Sequence, residues 1–530
     1  MNNKNMLGVM LDCSRNGVMR VDTVKRYAKL LSDMGYNTLM LYTEDTFEVD
    51  NQPFFGYMRG RYTKEELKEL DNYCASIGIE LVPCIQTLAH LNCIFKWYDE
   101  YDKVRDCDDI LLIDEPETYK LIEDMLSTIS ECFTSKKIHI GMDEAYRVGL
   151  GNYLIKHGYS NRFDIINRHL HKVCEIADKY ALEPMIWSDM FCKLALNSEN
   201  YYEGGNLEDI RKQAALPENI SLVYWDYYNR DINCYNKMFT ANKAFERPII
   251  FAGGAWTWKS FAPDNTMSIA NTEVALTACE QNGIKDIFFT VWGDDGNECS
   301  RFAILPTLFY AKERLNGNTN IEDIKAKFEE FIGIAFDDFL LLDKMHGDTE
   351  SGFSSPLRMH LYGDPLMGIF DFEIDANSEE YYKELGEKLE NVKAEGDCKH
   401  IFSCCASLCN VLNIKSVLSQ KTRKFYKENN LDALRNIANS DYPLLIERIN
   451  KFHKVFEEYW MNENKPFGLE IQSVRLGGLA MRLGSCQQRI LDYCDGKSTK
   501  IEELEEEVLP SIHNTTWARV VSPGVISHMV

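Results

Sequence analysis

Residues 7 to 42 read LGVMLDCSRNGVMRVDTVKRYAKLLSDMGYNTLMLY, two short apolar runs on either side of one amphipathic segment. The runs, at 7–13 and 37–42, have the length and aliphatic content of buried strands. The segment between them has helical spacing and ends at Gly35, where a helix stop is expected. A strand, a helix and a second strand in this order predict a βαβ unit with parallel strands.

The same alternation continues along the first 315 residues. Six further apolar runs follow, at 79–85, 137–142, 183–188, 221–226, 248–253 and 286–292, with helical patterns between them. Eight such units predict an α/β fold, a (β/α)8 TIM barrel over residues 1–315. Beyond the turn-forming NGNTN segment at 316–320, long amphipathic patterns replace the strand-like runs. We therefore expect an all-α C-terminal domain over residues 316–530.

Composition limits the classes of protein to consider. The chain has 530 residues, 45% of them apolar, and a formal net charge of −24, which disfavours a surface that neutralises nucleic-acid phosphates. No run approaches the roughly 20 continuous apolar residues of a membrane span, and the N-terminus lacks a signal-peptide pattern. Seventeen scattered cysteines are typical of reduced thiols rather than a disulfide framework. We expect a cytoplasmic protein that binds neither nucleic acid nor membrane.

Polar and aromatic residues follow every predicted strand, which is where a barrel of this kind carries its chemistry. Because side chains alternate along a strand, residues two apart share a face, and we expect the polar faces to point into the barrel. In order along the chain these residues are Arg15; Glu44 and Asp45; Gln86 and His90; Asp143 and Glu144; Trp187 and Asp189; Tyr224, Asp226 and Tyr228; Trp256 and Trp258; Trp292 and Asp294.

Aromatic side chains combined with carboxylates and one arginine suit a sugar, whose ring faces stack and whose hydroxyls need hydrogen-bond partners. Four of the eight tryptophans fall at predicted strand ends. Asp143 and Glu144 carry the most chemical weight. Neighbouring residues in a strand point to opposite faces, so both can reach the barrel mouth only where the strand ends. An isolated Asp-Glu pair is more often a solvated turn, but this position favours a catalytic pair.

HIGMDEA (139–145) resembles the H-x-G-x-D-E signature of family 20 glycoside hydrolases, the β-N-acetylhexosaminidases. LDCSRN (11–16), PCIQTLAHL (83–91) and YWD (224–226) resemble the segments of that family that end in a substrate-binding Arg, a His and a Tyr-x-Asp. Two features depart from the pattern. Glu44 and Asp45 compete for one acidic position, and Leu88-Ala89 replaces a Pro-Gly. A barrel followed by a helical domain is similar to a bacterial branch of the family.

The resemblance implies an exo-acting retaining β-N-acetylhexosaminidase that releases terminal β-linked GlcNAc or GalNAc. Its catalysis would be substrate-assisted, with the substrate's 2-acetamido oxygen as the nucleophile and an oxazolinium intermediate. Glu144 would serve as general acid and then base, and Asp143 would orient the acetamido group and stabilise the positive charge.

The resemblance also implies the substrate contacts. They are Arg15, Glu44, His90, Trp187, Tyr224, Asp226, Tyr228, Trp256, Trp258, Trp292 and Asp294. Tyr224 and Tyr228 compete for the acetamido oxygen, as do Trp256 and Trp258 for the sugar face. The sequence leaves open the choice between gluco and galacto stereochemistry, which depends on one hydroxyl.

Two other functions fit some of these residues. A metal-dependent hydrolase would use His90, His139, Asp143 and Glu144 as ligands, but no H-x-H or H-E-x-x-H spacing supports it. A non-catalytic sugar-binding barrel would keep the tryptophans but lose one acid, and both acids are present. No nucleotide-binding loop is found, so we expect no cofactor and no metal. By resemblance, we expect a homodimer formed through the helical domain.

Overall fold

The computed structural model describes residues 5–196, 215–347 and 356–510. Eight parallel strands close into a barrel, because the last pairs with the first as well as with its predecessor. The strands are β1 Leu7–Asp12, β2 Thr38–Tyr42, β3 Glu80–Cys84, β4 Lys137–His139, β5 Glu183–Trp187, β6 Ser221–Asp226, β7 Ile249–Gly254 and β8 Ile287–Val291. Each coincides with a predicted run, so the predicted TIM barrel is confirmed.

Helices alternate with the strands, and their ends follow local sequence rules. Gly35 ends the first helix at φ 91°, a left-handed conformation that favours glycine. Thr63 and Glu66 form a capping box at the start of the second. The helices of this half are α1 Val21–Met34, α2 Lys64–Ser76, α3 Tyr98–Tyr101, α4 Pro116–Cys132, α5 Asn152–His157, α6 Arg162–Lys179, α7 Asp189–Leu196, α8 Ile232–Lys243, α9 Asn265–Asn282 and α10 Leu305–Leu315. A short antiparallel ribbon, Arg105–Cys107 with Ile110–Leu111, follows β3.

The inside of the barrel is a packed apolar core. Its buried members are Met6, Met10, Met40, Tyr42, Val82, Cys84, Met185, Trp187, Val223, Ile250, Ala252 and Phe288, with Trp225 and Trp292 packed against them. Most strands therefore present apolar side chains inward, and the Asp143–Glu144 pair lies beyond the end of β4. This arrangement keeps the barrel solid and confines the chemistry to one end.

Strand β6 corrects one prediction. Its inward residue is Val223, with Trp225 in the same phase, whereas the Tyr224 ring packs against Phe239 of α8, 5.1 Å away. The prediction that Tyr224 and Asp226 face the interior is therefore wrong. Both phases of SLVYWD carry large apolar or aromatic side chains, so hydrophobicity alone does not set the register of this strand.

The chain divides into two compact units. The first, Met1–Trp256 with Met267–Gly293 and Thr307–Thr319, contains all eight barrel strands. The second contains Asn320–Val530 and also two segments that follow β7 and β8, Thr257–Thr266 and Asp294–Pro306. Its described helices are α11 Ile321–Ile332, α12 Phe336–Asp343, α13 Pro356–Tyr362, α14 Ser378–Glu390, α15 Lys399–Lys427, α16 Leu431–Asn439, α17 Asp441–Glu463, α18 Leu469–Cys494 and α19 Glu502–Glu505. The predicted helical region after the barrel is confirmed.

One stretch in the second unit, Gly396–Lys427, is long and apolar enough by composition to cross a membrane. Its apolar window is 78% buried within the protein, and it contacts α14 and α17. This is typical of the core helix of a folded domain, whose apolar residues face other helices rather than lipid.

Candidate active site

The backbone after β4 is unusual. Gly141, Met142 and Glu144 all have positive φ, at 73°, 72° and 52°, which is uncommon for residues other than glycine and concentrates at functional sites. A Cβ atom on Gly141 would lie 2.0 Å from Oε1 of Gln86, so only glycine fits. These turns let two adjacent side chains reach the same place. Nε2 of His90 is 3.1 Å from Oδ2 of Asp143 and 3.7 Å from Oε2 of Glu144.

Asp143 is buried and surrounded by donors. Nε2 of Gln86 donates to its Oδ1 at 2.7 Å, and His90 approaches its Oδ2. Burial acts to raise the pKa of Asp143, but His90 and the Gln86 amide outweigh it and hold the pKa below its usual value. Burial likewise acts to lower the pKa of His90, and Asp143 raises it to about 10. At neutral pH the pair is therefore a carboxylate beside an imidazolium.

Glu144 is the more exposed of the two acids, with a side chain 43% accessible. Its backbone N–H donates to Oδ2 of Asp189 at 3.1 Å, and the Tyr146 hydroxyl donates to its Oε1 at 3.1 Å. Asp189 is fully buried, and burial and Asp143 raise the pKa of Asp189 to about 7. An accessible carboxyl that accepts one hydrogen bond from Tyr146, on a backbone held by Asp189, is suited to exchange a proton with a bound substrate.

An arginine–glutamate pair lies on the other side of His90. Nε of Arg15 is 3.1 Å from Oε1 of Glu44, which also accepts from the Tyr42 hydroxyl at 3.0 Å. Nη2 of Arg15 is 3.5 Å from Nδ1 of His90. Burial raises the pKa of Glu44, and Arg15 opposes the increase. Of the two acids that compete after β2, Glu44 therefore joins the cluster.

Asp45 has a different partner. Its Oδ1 is 3.3 Å from Nη2 of Arg59, and the Arg59 guanidinium also donates to the Ser14 carbonyl and to Oδ1 of Asn16. Arg59 thus ties the chain on both sides of Arg15 to the loop after β2. Asp45 holds the loops in place and does not reach the acid pair.

Aromatic rings lie beside the acids. The Trp187 ring is 4.3 Å from that of His139 and 6.2 Å from that of Trp292, and Trp292 meets Tyr42 edge-on at 4.7 Å. Among the described residues, Nε1 of the buried Trp187 has no hydrogen-bond partner. Burial lowers the pKa of His139 to about 3, so its ring is neutral, and its Nδ1 accepts from the Gly141 N–H at 3.1 Å. These rings form apolar walls next to charged groups.

A second aromatic group follows β6 and β7. The rings of Trp225 and Tyr227 stack at 5.2 Å, and those of Tyr228 and Trp256 meet edge-on at 5.2 Å. Nε1 of Trp256 donates to the Tyr227 carbonyl at 2.9 Å. Tyr227 is buried and hydrogen-bonds to Thr290 and Trp292. Tyr227, two residues beyond the inward Trp225, therefore lies beside the aromatic wall.

The carboxylate of Asp226, a predicted contact, has partners within its own strand and the loop that follows it. Asp226 accepts from the Tyr224 hydroxyl at 2.8 Å and from the Tyr228 and Asn229 N–H groups at 3.1 Å, so its carboxylate closes a turn. Trp258 and Asp294 belong to the second unit. In the part of the chain that the structure describes, no group of three or more His, Cys, Asp or Glu side chains is arranged to hold a metal ion.

The sequence reasoning did not assign roles to five residues of the site, Tyr42, Gln86, Tyr146, Asp189 and Tyr227. Gln86 and Asp189 are among the polar residues that follow predicted strands, but the sequence alone gives neither of them a role. Tyr227 could have been found only from the correct phase of β6. Tyr42 ends an apolar run, and Tyr146 lies in a loop, so neither carries a pattern of its own.

A closed parallel barrel with an Asp-Glu pair, an arginine and tryptophan walls at its strand ends suits a glycoside hydrolase, and the family models assign the chain to that class. The model of the family 20 glycosyl hydrolase catalytic domain matches residues 7–237, and that of the glycoside hydrolase 20C C-terminal domain matches residues 337–521. The chain belongs to glycoside hydrolase family 20, and both halves of the predicted resemblance are confirmed.

Similar proteins include human hexosaminidase D, 22% identical over 343 residues that cover 60% of this chain and 67% of the relative. A β-hexosaminidase of Akkermansia muciniphila is 26% identical over 172 residues, 26% of this chain and 34% of the relative. Among solved structures, the exo β-N-acetylglucosaminidase of Vibrio harveyi in complex with N-acetylglucosamine has a TM-score of 0.48 at 16% identity, over 64% of this chain and 59% of that one. The chain thus spans about a third of the Akkermansia protein and 59% of the Vibrio protein.

Proposed function

We propose that this glycoside hydrolase is an exo-acting retaining β-N-acetylhexosaminidase that releases terminal β-linked GlcNAc or GalNAc by substrate-assisted catalysis. The position of the two acids carries the proposal. Asp143 and Glu144 are adjacent on one turn, and both lie within 3.7 Å of the same His90 nitrogen. A carboxylate nucleophile and its partner acid would flank the glycosidic bond instead. Because the two acids lie on the same side, we infer that neither is the nucleophile and that the substrate supplies it.

In the proposed reaction, Glu144 gives its proton to the glycosidic oxygen while the acetamido carbonyl oxygen attacks the anomeric carbon. The bond to the aglycone breaks, and an oxazolinium ion forms. Asp143, as a carboxylate, accepts the acetamido N–H and stabilises the positive charge. Glu144 then takes a proton from water, whose oxygen opens the oxazolinium with net retention. A well-oriented internal nucleophile lowers a barrier by about 7–11 kcal/mol.

The remaining cluster fits recognition of the non-reducing sugar. Arg15 and Glu44 offer a charged donor and acceptor for ring hydroxyls. Trp187 and Trp292 offer apolar faces for the sugar and the acetamido methyl. We assign the hydrogen bond to the acetamido oxygen to Tyr227 rather than to Tyr224, because Tyr224 faces α8.

Glu144→Gln and Asp143→Asn test the assignment of the acids. On p-nitrophenyl N-acetyl-β-glucosaminide we expect Glu144→Gln to lose turnover while it still binds N-acetylglucosamine, and Asp143→Asn to lose at least about a hundredfold in kcat. Asp108→Asn, an exposed aspartate paired with Arg147, serves as the control and should be fully active. Full activity of Glu144→Gln would overturn the assignment. Loss of wild-type activity after EDTA dialysis would favour a metal-dependent hydrolase instead.

We further infer a homodimer formed through α18. Its outward face carries Ile471, Val474 and Met481, and the last two are 72% and 76% exposed. Gly477 and Gly478 lie between them, and a Cβ on either would meet nothing within 4 Å. Exposed apolar side chains around a bare backbone fit a close helix–helix contact. Light scattering should give a dimer for the wild type and a monomer for Val474→Glu/Met481→Glu; a wild-type monomer at micromolar concentration would contradict the inference.

We also place the protein in the cytoplasm. All seventeen cysteines lie in the described part of the chain and are free thiols, which supports a reducing compartment. Cell fractionation should recover the protein with cytoplasmic markers. Recovery in the culture medium would contradict this placement.

A further inference from the structure

Gln86 follows β3 and is fully buried, with its carboxamide engaged on every side. Its Nε2 donates to Oδ1 of Asp143 at 2.7 Å and to the Tyr42 hydroxyl oxygen at 2.9 Å. Its Oε1 accepts from the Met142 N–H at 3.2 Å. A primary amide has two N–H donors and one carbonyl oxygen. All three groups of Gln86 therefore hold a part of the site.

These bonds form one connected chain of donors. Arg15 and the Tyr42 hydroxyl both donate to Glu44, and Gln86 donates to Tyr42 and to Asp143. The proposed hydroxyl-binding pair is thereby joined to the proposed acetamido-binding carboxylate through buried polar groups. Such networks are stronger in a low-dielectric interior and costly to break in part.

The Gln86 carbonyl also supports the unusual backbone. Met142 has φ 72° and precedes Asp143, and its N–H is held by Gln86. Gly141 packs so closely that its missing Cβ makes room for Oε1 of Gln86. Strained conformations persist only where the surroundings over-determine them. Gln86 is one of the groups that fix the turn from which both acids project.

We propose that Gln86 is a positioning residue that keeps Asp143 aimed and anionic and couples it to the Arg15–Glu44 pair. This rests on the proposed function, in which an anionic Asp143 stabilises the oxazolinium ion. The position requires an amide. A glutamate there would face Asp143 and Tyr42 with acceptors where both need donors, and its charge would favour the neutral form of Asp143.

Gln86→Glu and Gln86→Met test the proposal against a matched control. Gln52→Glu makes the same change in another glutamine that donates to an aspartate, Asp124, at 2.9 Å and accepts from Tyr101 at 3.3 Å. Both Gln86 variants should lose about 10- to 100-fold in kcat at pH 7 with little change in KM, because a hydrogen bond to a charged group is lost. Gln52→Glu should keep wild-type kinetics.

The dependence of kcat on pH distinguishes a positioning role for Gln86 from a general loss of structure at the site. The loss in Gln86→Glu should shrink as the pH falls towards 5, because a protonated glutamate again offers a donor, whereas the loss in Gln86→Met should stay constant. Wild-type kcat in both variants at every pH would overturn the proposal. So would equal, pH-independent losses in the two.

A thiazoline mimic of the oxazolinium gives a second readout that does not need turnover. Wild type should bind it, and Gln86→Glu should bind it at least about tenfold more weakly at pH 7 while its affinity for N-acetylglucosamine changes less. If the wild type ignores the thiazoline, the proposed function fails. If the wild type binds it and Gln86→Glu binds it equally well, only the role of Gln86 fails.

Tyr42→Phe tests the same coupling if the Gln86 variants do not fold. It removes the hydroxyl that links Gln86 to Glu44, and it should also lower kcat. An unchanged kcat would contradict the coupling.

Discussion

At the scale of single residues, Asp143 and Asp189 are both buried, but their different partners shift their pKa values in opposite directions. Asp143 accepts from Gln86 on one oxygen and faces His90 at 3.1 Å with the other, and its pKa is held below its usual value. Asp189 has one oxygen on the Glu144 N–H, and among the described residues its other oxygen has no partner. Asp189 is buried beside Asp143, Glu144, Tyr146, Cys192 and Lys193. The protonated form of Asp189 is therefore more stable in this buried position than the ionised form.

Asp189→Asn should stabilise the protein at high pH only. In the unfolded chain this carboxyl titrates near its ordinary value of about 3.9, and in the folded protein near 7. The folded state binds the proton more tightly, so the stability it contributes is complete below about pH 4 and is lost as the pH rises through 7.

The amide carries no charge and can still accept from the Glu144 N–H. We expect Asp189→Asn to gain more than about 1 kcal/mol over wild type at pH 8 and to differ little at pH 4, as measured by thermal unfolding. The exposed Asp99→Asn should show no such dependence. An equal change at both pH values would contradict this account.

At the scale of elements, the turn after β4 and the phase of β6 show what the sequence could and could not predict. The position of Asp143 and Glu144 was predictable, because both can reach the mouth only at a strand end. The inward face of β6 was not, because Val223 and Tyr224 are both large and buried. The packing of Tyr224 against α8 settles that choice, and no local pattern encodes it.

Gly141→Ala tests whether the turn after β4 is as tightly fitted as its geometry indicates. The new Cβ would lie 2.0 Å from Gln86 Oε1 at a φ of +73°. We expect a loss of more than about 2 kcal/mol in stability and nearly all activity. Gly78→Ala is the control, because its φ is +80° but its Cβ would meet nothing within 4 Å. It should cost about 1 kcal/mol and leave activity unchanged. Similar effects in both would mean that backbone strain alone matters.

At the scale of the whole molecule, the sequence predicted a barrel and a helical region, because strand-like runs and helical patterns separate along the chain. The membership of Thr257–Thr266 and Asp294–Pro306 in the helical unit was not predictable, because it depends on contacts between distant residues. Phe261 meets Phe452 and Phe456 at 5.7 and 5.5 Å. Glu298 pairs with Arg358 and Arg475 at 2.7 and 3.2 Å.

A fragment of residues 1–319 should therefore not fold as a stable barrel. Removal of residues 320–530 deletes Arg358 and Arg475, so both ion pairs of Glu298 are lost and the segment Asp294–Pro306 loses the contacts that order it. Phe261 would also lose its aromatic partners. We expect the fragment to lack a cooperative thermal transition by circular dichroism, whereas the full chain has one. A fragment that melts cooperatively near the full-length temperature would contradict this prediction.

The most direct test of the central claim is a series of aryl β-glucosaminides whose N-acetyl methyl carries zero, one, two or three fluorines. Each fluorine withdraws electrons from the carbonyl oxygen, so if that oxygen attacks the anomeric carbon, kcat/KM should fall steeply along the series. The aryl β-glucoside, which has no amide, should be cleaved at a negligible rate. A flat series, with the glucoside cleaved as fast as the acetylated sugar, would show that the nucleophile comes from the protein or from water.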